Sequence, residues 1–373
     1  MLLKFEVQNF RGFENWIKWD LSRPNRYDFN THAVKNGVIK NGIIYGPNGS
    51  GKSNFSMAIF DLVNHLSQKV KKADYYNNFA CITNILSPVN FRYTFLFDGR
   101  EVEYSYTKSP EATLIQEELM LDGKRYLYRS SHELVSGEFT MAEQIKQEFM
   151  NSKTPVSLLS FLWSNYPMAE NHVLLQLRFF VESMLWYQCL DRRDFIGLDN
   201  TPTNIEEYII KNDLVNDFSG FLAEVSGQQF LLEASEKTTA SDSKTLLFSY
   251  KGDNFKVSLP FLLVASTGTK ALELLYFWKK RFENASFVFI DEFDAFYHFK
   301  LSFAVCQQLF HIDNCQIFLS SHNTYLMTND LLRPDCNFVL SDGKIKPLID
   351  CTEKELRFAH NIEKLYRGGT FSV

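Results

Sequence analysis

The chain has 373 residues, 45% hydrophobic and 22% charged, with a net charge of −5. That length exceeds one average domain and allows a sizeable core, and the acidic balance gives no general electrostatic footprint for nucleic acid, leaving only a local basic face open. Six scattered cysteines without a C-x-x-C pair exclude a disulfide framework and a zinc site, and fit free thiols in a reducing cytosol. Lys4, Glu6 and Arg11 interrupt the N-terminal apolar residues, so no signal peptide is expected. No uncharged apolar run approaches the roughly 18–20 residues that span a bilayer. The expectation is a cytoplasmic protein with no membrane contact. Thirty-five phenylalanines fall mostly in strand-like or helical runs and read as packing.

Residues 1–14 alternate as a first strand and turn, and residues 37–45 form a second strand. The second strand feeds Gly46-Pro47-Asn48-Gly49-Ser50-Gly51-Lys52-Ser53, a full G-x-x-x-x-G-K-S string, followed from Asn54 by a helical stretch over 54–67. Strand, glycine-rich loop and helix together make this string a phosphate site. The glycines let successive N–H groups face phosphate oxygens, and the helix N-terminus adds free donors. Lys52 reaches the β- and γ-phosphates, and the Ser53 hydroxyl holds Mg²⁺. The basic cluster Lys69, Lys71 and Lys72 reads as a solvated helix end.

Strand-like runs at 89–97 and 101–107 flank an Asp98-Gly99-Arg100 turn, and runs at 114–121 and 124–128 flank Asp122-Gly123. They predict an antiparallel β-layer. From about residue 140 the spacing turns helical, over 141–150, 155–163, 172–190 and 205–225, with 199–203 as a capping loop. Strand character returns over 228–259 around a polar loop at 234–244, and the last third alternates helix and strand. The fold class is therefore α/β, a mixed β core with an antiparallel β-layer in two parts, 1–110 and 228–373, around an inserted hairpin and helical lobe at 111–227.

Three further strings carry chemistry. Phe287-Val288-Phe289-Ile290-Asp291-Glu292 is a buried-type strand ending in two acids. Alone it is an ordinary strand end. Beside a phosphate loop, Asp291 supports Mg²⁺ and Glu292 polarises the attacking water. His322, after the strand 316–321, either bonds a γ-phosphate or is a plain polar terminus. Ser266-Thr267-Gly268-Thr269-Lys270 opens a helix, as an N-cap or as an anion site.

The order of these motifs resembles the ABC-type ATPase heads of chromosome-maintenance and DNA-repair proteins. More closely, it looks like the stand-alone bacterial ATPases of the overcoming-lysogenization-defect and abortive-infection group. The resemblance rests on Asn9-Phe10-Arg11-Gly12-Phe13, the loop at 46–53, Ser266 to Lys270 as the signature, Asp291-Glu292-Phe293-Asp294 with His298, Ser320-Ser321-His322-Asn323, and a tail at 361–369. It covers roughly 1–110 and 228–373. It implies ATP and Mg²⁺ as cofactors, Lys52 and Ser53 on phosphates and metal, Asp291 on the metal, Glu292 as base and His322 as the γ-phosphate switch. It also implies that Ser266 and Gly268 contact the nucleotide of a second copy, and that Arg11 touches nucleotide. There are three departures. No glutamine is assigned to the loop that usually links Mg²⁺ to the inserted lobe, although Gln116 is available. Ala265 stands where an acid is common, and Phe299 follows His298 where proline is frequent.

The function these features predict is ATP hydrolysis by an antiviral-defence switch that closes as a homodimer or higher oligomer around nucleotide. It would act with a separately encoded effector, because the residues after His322 are too few for a fused one. The alternatives are a DNA repair or recombination ATPase, for which neither sustained heptads nor a basic channel is evident, and a nucleotide-gated scaffold that barely hydrolyses. A transporter subunit fits worst. DNA remains open as a partner.

Overall fold

Two seven-stranded sheets share one central helix in the computed structural model. The structure describes residues 1–67, 73–130, 134–136, 147, 149, 156–169, 172–189, 195–198, 204–227, 229–235, 244–251 and 255–372. The first sheet is antiparallel and runs in the order Leu134–Ser136, Lys124–Ser130, Leu114–Leu121, Arg100–Lys108, Val89–Phe97, Leu2–Gln8, Ile17–Asp20. The second runs Phe195–Gly197, Met184–Gln188, Phe287–Asp291, Gln316–Ser321, Asn41–Tyr45, Asn337–Ser341, Lys344–Pro347. Its five inner strands are parallel and its two edges antiparallel. This is the α/β head expected from sequence.

The hairpins of the first sheet form where the turn chemistry placed them. Asp98 and Gly99 have φ of 49° and 81°, and Asp122 and Gly123 have 49° and 78°. Positive φ at both central residues matches the right-handed twist of the flanking strands.

The helix Lys52–Leu66 packs on both sheets, so it is buried nearly all round. Phe55 meets Phe5 and Trp19 of the first sheet, with ring centroids at 5.7 and 5.5 Å, while Phe60 meets Phe287 of the second at 5.9 Å. Each such side chain contributes about 1.5–3 kcal/mol over its exposed state. Polar bonds fix the helix in register. Trp186 Nε1 donates to Ser56 Oγ at 2.9 Å, and Tyr93 donates to the Ala58 carbonyl at 3.0 Å. Buried Asp61 accepts from Tyr106 at 2.7 Å and from Lys108 Nζ at 2.6 Å. Burial pushes the Lys108 pKa down, and the Asp61 carboxylate opposes that.

Several expectations need correction. The stretch 172–190 is not one helix: Val173–Glu182 is helical, and Met184–Gln188 is a strand of the second sheet beside Phe287–Asp291. A strand covered on both faces shows no alternation, so its apolar run reads like a buried helix. The lobe expected over 111–227 is accordingly woven into the head, since Leu114–Leu121 and Lys124–Ser130 extend the first sheet and Met184–Gln188 joins the second. The stretch 205–225 divides into Ile205–Lys211 and Val215–Ser226, broken where Asp213 takes φ 54°. The helix expected over 155–163 is Leu158–Asn165, capped by Ser157. Lys69, Lys71, Lys72 and the loop 199–203 lie outside the described residues, as do 236–243 of the polar loop and all but two residues of the expected helix 141–150. Among the described residues no helix is long and apolar enough to cross a membrane. All six cysteines are buried and free.

Removing one member of a buried ion pair leaves the other uncompensated. Asp61→Ala should therefore lower unfolding free energy in urea by about 3–5 kcal/mol. The double change Asp61→Leu with Lys108→Met should lie much closer to the parent.

Candidate active site

The carboxyl ends of three neighbouring parallel strands bring most of the expected residues together. Asn41–Tyr45 leads into the loop, Phe287–Asp291 delivers Asp291 and Glu292, and Gln316–Ser321 delivers His322. Such strand ends are where open α/β sheets take ligands. A cleft of about 790 Å³ opens there. Asn48, Gly49, Gly51, Lys52, Ser53 and Asn54 line one wall, and Glu292, Asp294, Ala295, Tyr297, His322 and Asn323 line the other.

Two glycines of the loop are dictated by contact. A Cβ on Gly46 would collide with the Leu340 carbonyl and the Ser50 hydroxyl. Gly51 caps the helix at φ 96°, and its Cβ would stand 2.9 Å from the Phe13 ring. Between them, the Ser50 N–H closes a turn onto the Pro47 carbonyl at 3.2 Å.

Lys52 Nζ donates to the carbonyls of Gly46 at 2.9 Å and Pro47 at 3.2 Å, and lies 3.4 Å from His322 Nδ1. Burial lowers the Lys52 pKa, while Asp291, Glu292 and Asp294 pull it back up. His322 is lowered by burial first and by the Lys52 ammonium second. A neutral imidazole follows at pH 7. The Lys52 ammonium facing Nδ1 disfavours a second positive charge there, while the Gly46 carbonyl and the Asp294 and Glu292 carboxylates oppose that lowering.

The acids are held by hydroxyls from the next strand. Ser320 Oγ donates to Asp291 Oδ1 at 2.5 Å and accepts from the Glu292 N–H at 2.8 Å. Ser321 Oγ donates to Asp294 Oδ2 at 2.8 Å and accepts from the Asn323 N–H at 2.9 Å. Burial raises the Asp291 pKa, opposed by the Ser320 and Ser53 hydroxyls, and raises Asp294, opposed by Ser321. Asp291 Oδ2 and Glu292 Oε2 are buried without a hydrogen-bond partner. A carboxylate oxygen left free beside a serine on a phosphate loop is a hard-oxygen donor set that fits Mg²⁺, which takes few protein ligands alongside phosphate and water.

Of the expected residues, Gly46, Pro47, Ser50 and Asp291 do not line this cleft, and neither do Arg11, Ser266 and Gly268. Arg11 bonds Asn54 Oδ1 at 3.3 Å and the Tyr75 carbonyl at 2.9 Å, tying the first turn to the loop helix. Ser266 is the N-cap of Thr267–Lys279, its Oγ accepting from the Thr269 N–H at 3.1 Å. Gly268 packs where a Cβ would come within 3.0 Å of the Phe296 carbonyl, just beyond the acids.

Sequence reasoning missed Gln188. It ends the strand Met184–Gln188 in register with Asp291, and the next N–H, of Cys189, bonds the Asp291 carbonyl at 3.2 Å. Reading 172–190 as a helix hid it. Gln116 instead sits mid-strand in the first sheet, opposite Thr107 and Ser130. Asp294, Ala295, Tyr297 and Asn323 also joined the cleft unassigned. The one signal for them was the polar Ser-Ser-His-Asn ending of an otherwise apolar strand.

A family model described as "AAA domain, putative AbiEii toxin, Type IV TA system" matches residues 43–328. The chain belongs to that family. The matched span contains the loop, the acidic strand and the His322 strand that lies between them in the sheet. Family and phosphate loop together make it a nucleotide-binding domain of the P-loop ATPase kind. Among solved structures, an SMC head bound to the C-winged helix domain of ScpA is 17% identical, with 92% of this chain and 96% of that chain covered and a TM-score of 0.44. The SMC head domain from Thermotoga maritima is 14% identical, with 92% and 97% covered and a TM-score of 0.44. The recombination mediator RecF, from the RecFOR pathway, is 14% identical, with 93% and 98% covered and a TM-score of 0.42. No curated protein matches the chain.

The His322 environment sets a checkable titration. By NMR its imidazole should titrate below the ordinary value of about 6.5. Lys52→Met removes a like charge and should move that midpoint upward. Because the folded-state value is depressed, the stability linked to His322 is fully present above the unfolded value and is lost as pH falls through the folded one.

Proposed function

We propose that this protein is an ATP-hydrolysing switch whose competent state is a pair of chains closed around nucleotide. One observation carries this reading: Lys52, Ser53, Glu292 and His322 line a single cleft, with Asp291 next to Glu292 at the strand end and bonded to Ser320.

The chemistry follows from the positions. Lys52 exchanges its loop carbonyls for β- and γ-phosphate oxygens, and the N–H groups of Asn48 to Asn54 cradle the rest. Ser53 and Asp291 would hold Mg²⁺, which supplies charge neutralisation at the phosphates when bound. Glu292 accepts a proton from water as its oxygen forms a bond to the γ-phosphorus, and the bond from that phosphorus to the β–γ bridging oxygen breaks. His322 donates a ring N–H to a γ-phosphate oxygen and so reports its presence. Gln188, ending the strand next to Asp291, is the glutamine that links the site to the rest of the 111–227 segment.

Ser266 and Gly268 lie outside the cleft that holds Lys52, and a helix N-terminus with a hydroxyl and a glycine suits a phosphate. Their role is to complete the site of a second copy. Nucleotide then stabilises the closed pair by its differential affinity for it. The family description names a putative AbiEii toxin of a type IV system, which supports a defence role; the separately encoded effector is part of the same proposal and has its support in the sequence resemblance. DNA is a further candidate partner.

Lys52→Ala should abolish ATP binding by calorimetry, and retained affinity would refute the phosphate-loop assignment. Glu292→Gln should bind ATP, lose turnover and run as a dimer by light scattering. A Glu292→Gln chain that stays monomeric with ATP and hydrolyses normally removes the base assignment. Mixing Lys52→Ala with Gly268→Asp chains should restore part of the turnover that each lacks alone, because one composite site is then intact.

A further inference from the structure

Ser320 is the penultimate residue of the buried strand Gln316–Ser321 and is itself fully buried. Its hydroxyl has one proton and can also accept. The proton goes to Asp291 Oδ1 at 2.5 Å, and a lone pair takes the Glu292 N–H at 2.8 Å. The Ser320 carbonyl takes the next N–H, that of Phe293, at 3.2 Å. One residue of the neighbouring strand therefore binds three consecutive residues at the end of the acidic strand.

Glu292 requires such a hold. Its φ is 49°, in the left-handed region, which is unfavourable for a non-glycine residue. A conformation of this kind persists only where its surroundings fix it. The direction of the bonds adds a condition. An ionised carboxylate only accepts, so the hydroxyl must donate to Asp291, and it then meets the Glu292 N–H as an acceptor. The hydroxyl thereby occupies Oδ1 of Asp291, while Oδ2 has no hydrogen-bond partner. Adjacent Ser321 serves a different acid, Asp294.

We propose that Ser320 is a positioning residue that sets the Asp291 carboxylate for a divalent cation and the Glu292 backbone for water activation, through this one hydroxyl. The inference rests on the ATPase reading above and adds to it a residue that touches neither nucleotide nor metal.

The test is Ser320→Ala in the full chain, with Ser320→Cys as a weaker donor of similar size. Calorimetry with ATP alone should give the parent's affinity, because the loop is untouched. The gain in affinity on adding Mg²⁺ should shrink about 10–100-fold, as for other residues that orient metal ligands. Turnover should show a kcat loss of about 10–100-fold with KM little changed, and the Cys variant should fall between. An unchanged Mg²⁺ gain and kcat would overturn the proposal. So would an equal loss of affinity with and without Mg²⁺ together with a lowered melting temperature, which marks structural support alone. If the parent chain itself fails to bind ATP, the ATPase reading falls, and the Ser320 assignment falls with it. A parent that binds Mg²⁺-ATP without turnover still decides Ser320 by calorimetry.

Discussion

Everything at the strand ends depends on the burial of the helix Lys52–Leu66 between two sheets. A phosphate loop is only as well placed as the helix that leaves it. Here the helix cannot roll or slide without breaking polar bonds on both sides: Trp186 to Ser56 from the second sheet, and Tyr93, Tyr106 and Lys108 from the first. Apolar packing of Phe55 and Phe60 supplies the adhesion, but it is tolerant of small shifts. The hydrogen bonds and the Asp61 pair are directional, so they fix the register. Phe13 seated against Gly51 extends the same constraint to the turn after the first strand.

The cleft built on that helix concentrates charge. Glu292 and Asp294 line one wall with Asp291 at the adjoining strand end, and Lys52 stands opposite with His322 beside it. Burial works against every one of the charged forms for which a shift is resolved. What opposes it is a set of short hydroxyl contacts from Ser320 and Ser321, two adjacent residues that each serve a different acid. These bonds fix one oxygen of Asp291, one of Asp294 and the Glu292 N–H before any ligand arrives, and they leave Asp291 Oδ2 and Glu292 Oε2 without a partner.

Much of this was legible in the sequence, and the exceptions have physical causes. The loop at 46–53 announces itself because its glycines answer to collisions and positive φ, which are strict local demands. The Asp-Gly turns are legible for the same reason. The acidic strand and the strand ending in His322 were recognisable by their uninterrupted apolar runs. That same property concealed Met184–Gln188, since a strand buried on both faces has no period to reveal it, and with it Gln188 was lost. The bonds of Ser320 were invisible because they depend on which strand lies next to which, and strand order is not written in any local window. The caps at Ser266 and Ser157 were within reach of local chemistry, and at Ser266 the capping bond and the proposed contact with a second copy use the same hydroxyl.

The placement of Met184–Gln188 bears on how such a chain can vary. A segment that merely loops out of a head can be exchanged, shortened or fused without touching the machinery. The segment between residues 111 and 227 cannot be treated that way, because one of its strands lies between the acidic strand and the sheet's edge, and its aromatic Trp186 anchors the loop helix. Lineages that diversify here must do so in the stretches on either side of that strand, keeping the strand as a fixed splice point. Chimeras that respect it keep the sheet intact, and those that cut through it lose the neighbour of the strand that carries Asp291 along with the lobe.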